Sequence, residues 1–269
     1  MTEQHLLYKM TWEETREAVK QDRVVIVPVA AIEQHGPHLP VDVDNLLVVT
    51  LCEEAARRQP DLFGCAMHIP YGYNAHNMPF AGTVSIRQQV FFDYCFDVCA
   101  SYAAHGFKYI LLINGHGSNV HLCEGIAREV SMKTSARCGQ FIWPQLVLDT
   151  IAGFRESVYP GGTGHACEVE TALYLAIDPD GVQMEKAVKE ITWNVGEYWY
   201  KDFAGGGPIS YTSWHHEFSR TGIAGDPTVA TAEKGRAMLE AFCDRLPKLA
   251  EEFKTIVNEP RYRDLPKDR

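Results

Sequence analysis

The sequence predicts an α/β domain of three layers, with helices on both faces of a mostly parallel central sheet. Two observations carry that expectation. Short, continuously apolar runs such as RVVIVPV (23–29) and KYILLI (108–113) alternate with longer segments of helical spacing. Strands buried on both faces read this way, and strand–helix alternation builds a parallel sheet. The polar, Gly- and His-bearing segments also fall directly after the apolar runs. Those are the carboxyl ends of strands, where open α/β sheets bind ligands. No repeat, low-complexity block or Pro/Ser linker divides the 269 residues, so one domain over 1–269 is expected.

The elements follow in order. Thr11-Trp12-Glu13-Glu14 is a capping box, which predicts a helix over 12–21. The first strand is 23–29. LLVVTLCEEAARR predicts a helix over 46–58, and CAMHIP (65–70) a second strand. Apolar residues at 90, 91, 94, 95, 98 and 102 place a helix within 86–105. The third strand, 108–113, runs into the turn Asn114-Gly115-His116-Gly117, with a helix over 120–133 behind it. CGQFIW (138–143) is a fourth strand, HACEVETALYLAI (165–177) a helix, and 230–256 a last amphipathic helix.

Composition narrows the function. Lys+Arg 25 against Asp+Glu 35 gives a formal charge of −10, which argues against nucleic acid and against anionic membrane surfaces as partners. The longest apolar run, VVIVPVAAI at 24–32, is far short of the roughly 20 residues of a membrane span. The N-terminal run MTEQHLLYKMTWEE carries acids and no apolar core of a signal peptide, so a cytoplasmic protein is expected. The eight cysteines include no CxxC pair and read as reduced core thiols.

The chemistry gathers in three clusters, each beside an expected strand or helix end. They are Glu33-Gln34-His35-Gly36-Pro37-His38 through Asp42 and Asp44, then Asn114 to Asn119, then Gly164-His165-Ala166-Cys167-Glu168-Val169-Glu170-Thr171. In an extended segment Glu33 and His35 point to one side, and Asp44 can return from the next helix. Any one His–carboxylate neighbour pair is most simply a structural hydrogen bond, and Asp44 alone could be a helix cap. Three such clusters together suggest a His/carboxylate site for Zn, Mn or Fe. Glu168 and Glu170 compete as ligands, because residues two apart on a helix diverge in direction.

The run VPVAAIEQHGPHLPVDVDN resembles the signature of the creatininase family of metal-dependent amidohydrolases. YGYNAHNMPFAGTVSI, LLINGHGSN, GHACEVET and TGIAGDPTVATAEKG are similar to further family blocks in the same order, over about residues 10–255. The resemblance implies a creatininase-like fold, two divalent metal ions per chain, and a hydroxide between them that attacks a carbonyl of a small-molecule substrate. Glu33 and His116 would hold one ion, His35 and Glu170 the other, and Asp44 would bridge. His165 matches the catalytic histidine as a proton shuttle. Tyr73, Asn74, His76 and Ser118 would line the substrate pocket, with Asn77 and Asn119 as lesser candidates. His38 would orient ligands or serve structure alone.

Two departures matter. Ser118 stands where creatininase proper has a Glu ligand, and Cys167 replaces a usual Gly, with a nucleophilic thiol as a weak alternative. The first departure points away from creatinine itself. Cleavage of a cyclic or linear amide C–N bond is the first expectation. Ring-opening C–C hydrolysis of an inositol-derived ketone is the alternative, and a non-catalytic metal-binding scaffold stays open as a third. The resemblance also implies a homo-oligomer, with a hexamer as one arrangement. Trp214-His215-His216 reads as an ordinary surface loop, with a lid or an inter-subunit site as alternatives.

Overall fold

A computed structural model describes residues 4–258. The ends of the expected 1–269 domain, 1–3 and 259–269, lie outside the described residues. The chain runs α1 (Trp12–Lys20), β1 (Val24–Val29), α2 (Val43–Arg58), β2 (Phe63–Cys65), α3 (Gln88–Ala104), β3 (Tyr109–Asn114), α4 (Val120–Lys133), β4 (Arg137–Ile142), α5 (Leu148–Phe154), α6 (Glu168–Ile177), a hairpin of β5 (Lys201–Asp202) and β6 (Gly205–Gly206), and α7 (Ala232–Asn258).

Four parallel strands form one sheet in the order β2-β1-β3-β4. Successive strand residues face opposite sides. Val24 and Ile26 of β1 join Tyr109, Leu111 and Ile113 of β3 in a core with α2, α5, α6 and α7. Val25, Val27 and Val29 join Ile110 and Leu112 in a second core with α1, α3 and α4. Every residue of β1 and β3 is buried, which explains their unbroken apolar sequence. Each such Val, Leu or Ile contributes roughly 1.5–3 kcal/mol. From β1 the chain goes to β2 on one side, then crosses back to β3 on the other. The carboxyl ends of β1 and β3, paired at Val29–Asn114, therefore flank a topological switch point.

Several boundaries moved. The second strand starts at Phe63, two residues before its expected start. Its pairing with β1 breaks after Cys65 and resumes as a single bridge at Val29–Ile69. The expected helix at 165 begins only at Glu168, because Ala166 adopts a left-handed φ of 51° and His165 pairs with Ala224 instead. The sequence reading has no counterpart of α5. Gly235 lets α7 lie directly on α6, since a Cβ there would sit 2.0 Å from the Ala172 carbonyl oxygen.

Candidate metal centre

Two of the clusters are delivered by strand ends and the third by the start of a helix. Beyond β1 the chain stays extended: Glu33 N–H donates to Val41 O (2.9 Å) and Val84 N–H to Ile32 O (3.0 Å). Asp44 sits in the first turn of α2, where Asp42, not Asp44, occupies the capping position. Beyond β3, Asn114 Oδ1 accepts from His116 N–H (3.0 Å) while Asn114 Nδ2 donates to His116 O (2.7 Å), which locks the turn. Gly115 is required there, because a Cβ would lie 2.7 Å from the Asp44 carbonyl oxygen. Glu170 enters from the first turn of α6.

The five side chains Glu33, His35, Asp44, His116 and Glu170 meet and are all buried. Donor atoms of Glu33, Asp44 and His116 lie within 4.8 Å of one another, as do those of His35, Asp44 and Glu170. Asp44 is common to both sets. His116 Nδ1 is 2.7 Å from Glu33 Oε2 and 3.1 Å from Asp44 Oδ2. His35 Nε2 is 3.6 Å from Asp44 Oδ1 and 3.8 Å from Glu170 Oε1.

The outer nitrogen of each ring bonds away from the cluster. His35 Nδ1 donates to Glu33 O (3.1 Å), and His116 Nε2 to Tyr73 O (3.1 Å). That leaves His35 Nε2 and His116 Nδ1 as the lone-pair atoms facing the carboxylates. This is how metal-binding imidazoles are oriented. His35 Nε2 and Asp44 Oδ2 are buried without a hydrogen-bond partner. Two imidazoles, three carboxylates and two orphaned donor atoms fit divalent transition-metal ions.

The charges of the cluster are strongly coupled. Burial pushes the Glu33 carboxyl up, but His116, His165 and His35 outweigh it and hold it well below the usual range. Burial raises Asp44 to about 6 despite His116. Burial would keep His35 neutral, yet Glu170, Asp44 and Glu33 raise it to about 9. Glu33 and Asp44 likewise overcome burial and raise His116 well above an ordinary histidine. In the bare protein, protons on imidazole supply the positive charge that this carboxylate group requires.

His165 lies beside the cluster, with Nε2 3.8 Å from Glu33 Oε1 and its ring 4.3 Å from that of His35. Its Nε2 donates to the Gln34 backbone carbonyl (2.7 Å). Burial holds it neutral, well below the ordinary range, and the nearby His35 and His215 add to this against Glu33. The cause is desolvation rather than a helix end, since His165 stands outside α6. Tyr73, His76 and Ser118 line a cavity of about 650 Å³ that opens from the cluster. Ser118 Oγ is 3.4 Å from His76 Nε2.

Other expectations need correction. Asn74 does not reach the cavity: it is fully buried, with its amide donating to Ile32 O (3.3 Å). Asn77 is equally buried, and its amide donates to Glu33 Oε1. The segment at 214–216 is not simply a surface loop, because His215 is 3% exposed, lines the cavity and packs 5.1 Å from the His165 ring. Glu168 turns away from the cluster to Lys234 Nζ (2.6 Å) and Ser157 N–H (3.0 Å). Cys167 is buried, and burial pushes its thiol well above the ordinary value, which suits packing rather than nucleophilic attack. His38 bonds Thr171 Oγ1 (2.9 Å), one residue from Glu170. Sequence reasoning missed Gln34, whose amide donates to Gly222 O (2.9 Å) and whose backbone carbonyl holds His165. It also missed Lys201, Trp193 and Trp199 on the cavity wall. Their strand-poor segment carries no periodic signal.

The family profile described as creatininase, creatinine amidohydrolase, matches residues 8–250. The chain belongs to the creatininase family. It is a metal-dependent hydrolase, in line with relatives that are named as hydrolases. The 3-dehydro-scyllo-inosose hydrolase of Thermotoga maritima is 30% identical over 263 residues, covering 91% of this chain and 82% of that protein. The mycofactocin precursor peptide peptidase of Mycobacterium tuberculosis is 28% identical over 232 residues, covering 82% and 81%. Two solved creatininases share the fold. A mutant described as the Zn-Zn type has TM-score 0.79 and 22% identity over 92% of this chain and 97% of that one. One described as the Mn form has TM-score 0.78 and 24% identity over 93% and 98%. Among the described residues no helix is long and apolar enough to cross a membrane.

Proposed function

We propose that this creatininase-family chain is a dinuclear hydrolase that cleaves a bond at the carbonyl of a small polar substrate, a C–N amide bond first. The observation that carries the reading is that two donor triads share Asp44 at the base of an open cavity. Glu33, Asp44 and His116 would hold one ion, and His35, Asp44 and Glu170 the other. Zn, Mn or Fe bound there supplies Lewis acidity and acidifies a water towards neutrality. The protein's own groups do the rest. Asn77 fixes the Glu33 carboxylate, and the Tyr73 carbonyl fixes the His116 ring. His165, held neutral with its Nε2–H on the Gln34 carbonyl, is poised to take up a proton on its other ring nitrogen and return it to the leaving group. His76 and Ser118 offer hydrogen bonds to the substrate.

A second reading, C–C cleavage of a cyclic polyol ketone, is favoured by the Thermotoga relative's name and by Ser118 in place of a carboxylate. The attack on the carbonyl is the same, and only the leaving atom differs. The eight thiols, all free, suit a reducing cytoplasm. The exposed apolar side chains Val195, Tyr198 and Ile209 suit burial in a homo-oligomer.

The test is metal content per chain, then turnover on a panel of lactams, formamides, short peptides and cyclic ketones. Two ions and hydrolysis are expected. In His165→Gln, kcat should fall roughly 10²–10⁴-fold with both ions retained. Full turnover in that variant, or in the chelated protein, overturns the reading.

A further inference from the structure

The hydrolytic chemistry leaves one charged group of the cavity unused. Lys201 lies on β5 and lines the same cavity as the cluster. Its stem and ammonium rest on aromatic walls, with Nζ 5.1 Å from the Trp193 ring centroid and 6.0 Å from that of Trp199. The hydrogen bond found for Nζ goes to Thr212 Oγ1 (3.1 Å). Among the described residues no carboxylate lies within ion-pair distance of it.

The neighbouring Asp202 does not serve, because its oxygens accept from Arg155 (2.8 and 2.7 Å), Thr163 Oγ1 (2.8 Å) and Gly161 N–H (2.8 Å). The buried Lys234 shows the contrast. Lys234 Nζ meets Glu156 (2.6 Å), Glu168 (2.6 Å) and the Val229 carbonyl (2.7 Å). A cation withdrawn from water without a counter-charge is unfavourable unless a ligand supplies one. Burial accordingly pushes the Lys201 ammonium below its ordinary value. Its charge also reaches the pocket histidine His76, where it disfavours the imidazolium.

We propose that Lys201, with Thr212, binds a carboxylate carried by the substrate outside its reacting carbonyl. The inference rests on the hydrolase reading and narrows its substrate class to small carboxylate-bearing carbonyl compounds. One ammonium and one hydroxyl match the two oxygens of a carboxylate. Among the described residues no arginine fork of the kind that holds phosphate lines this cavity. Carboxylates elsewhere in the cavity, Glu33, Asp44, Glu170 and Asp202, are already engaged by histidines or by Arg155, so Lys201 is the group left to select charge.

The test uses the metal-loaded protein and calorimetric binding of succinate, glutarate and adipate, each against its monoamide. Wild type should prefer at least one dicarboxylate over its monoamide by about tenfold, the size of a charge-assisted hydrogen bond. Lys201→Met keeps the stem over the indoles and should reduce that preference to about twofold or less. Lys201→Arg should restore most of it. Both variants should keep the wild-type metal content. A wild type without the preference, or a Lys201→Met protein that retains it, overturns the proposal, and the wild-type arm stands even if a variant fails to fold. Because binding is read without turnover, the two readings fail separately. Charge selection with no hydrolysis of any carbonyl would sink the hydrolase reading alone. Hydrolysis without charge selection would sink this one alone.

Discussion

Glu168→Gln and Glu170→Gln should behave as opposites, although the two residues are two apart on one helix. Glu170 Oε1 lies 3.8 Å from His35 Nε2 and shares a donor triad with Asp44, so its loss leaves that triad with two ligands. An amide is a poor metal ligand, while its oxygen can still accept from Cys167 N–H as Oε2 does at 3.2 Å. Glu170→Gln should therefore fold normally and bind one ion instead of two. Its affinity for the second should fall by more than the roughly 10–100-fold that outer partners are worth. Glu168 is fully buried and holds Lys234 at 2.6 Å. Removing one partner of a buried pair costs about 3–5 kcal/mol. Glu156 remains on Lys234, so the lower end, about 3 kcal/mol, applies. At about 2–4 °C per kcal/mol for a chain of this size, Tm should fall roughly 6–12 °C with both ions retained. Elemental analysis after gel filtration gives the stoichiometry, and calorimetry in chelator gives the stability. A Glu168→Gln protein that loses an ion, beside a Glu170→Gln protein that keeps two, would refute the assignment of donors.

Two further outcomes test the packing. Gly235→Ala places a Cβ 2.0 Å from the Ala172 carbonyl oxygen, so overpacking should outweigh the helix-propensity gain of about 1 kcal/mol and destabilise the protein by about 1–3 kcal/mol in urea titration. An unchanged midpoint would contradict the close α6–α7 contact. Burial lowers His38 from 6.5 to about 4, with His35 adding to the shift. The unfolded chain then binds the extra proton between those values, so stability is complete above pH 6.5 and falls as pH drops towards 4, by up to about 3 kcal/mol. His38→Gln should flatten that part of the stability–pH curve, measured by chemical denaturation from pH 7 to 4.

Much of the frame was readable because local rules and tertiary structure agreed. The Thr11–Glu14 box caps α1 as expected, with Glu14 N–H donating to Thr11 Oγ1 (3.3 Å). Strands β1 and β3 were legible because burial on both faces leaves an unbroken apolar run. Pairing blurred β2, since its ladder with β1 resumes at Ile69 after an interruption that no residue pattern announces. At α6 the left-handed Ala166 delays the start of the expected helix to Glu168, because the backbone of His165 is taken by Ala224.

The order of residues alone determined which chemistry is present: imidazoles and carboxylates placed where parallel strands end. Only the three-dimensional arrangement decided which of them meet. Glu168 and Glu170 look alike in sequence, yet Lys234, 66 residues away, takes one and leaves the other to His35. Asn74 and Asn77 differ in role because one amide faces the Ile32 backbone and the other Glu33. His215 and Lys201 come from a segment with no periodic signal, and they reach the cavity because the strand β5 and the loop after the hairpin form part of its wall. Such contacts depend on distances between segments far apart along the chain, and no local pattern of residue types encodes a distance of that kind.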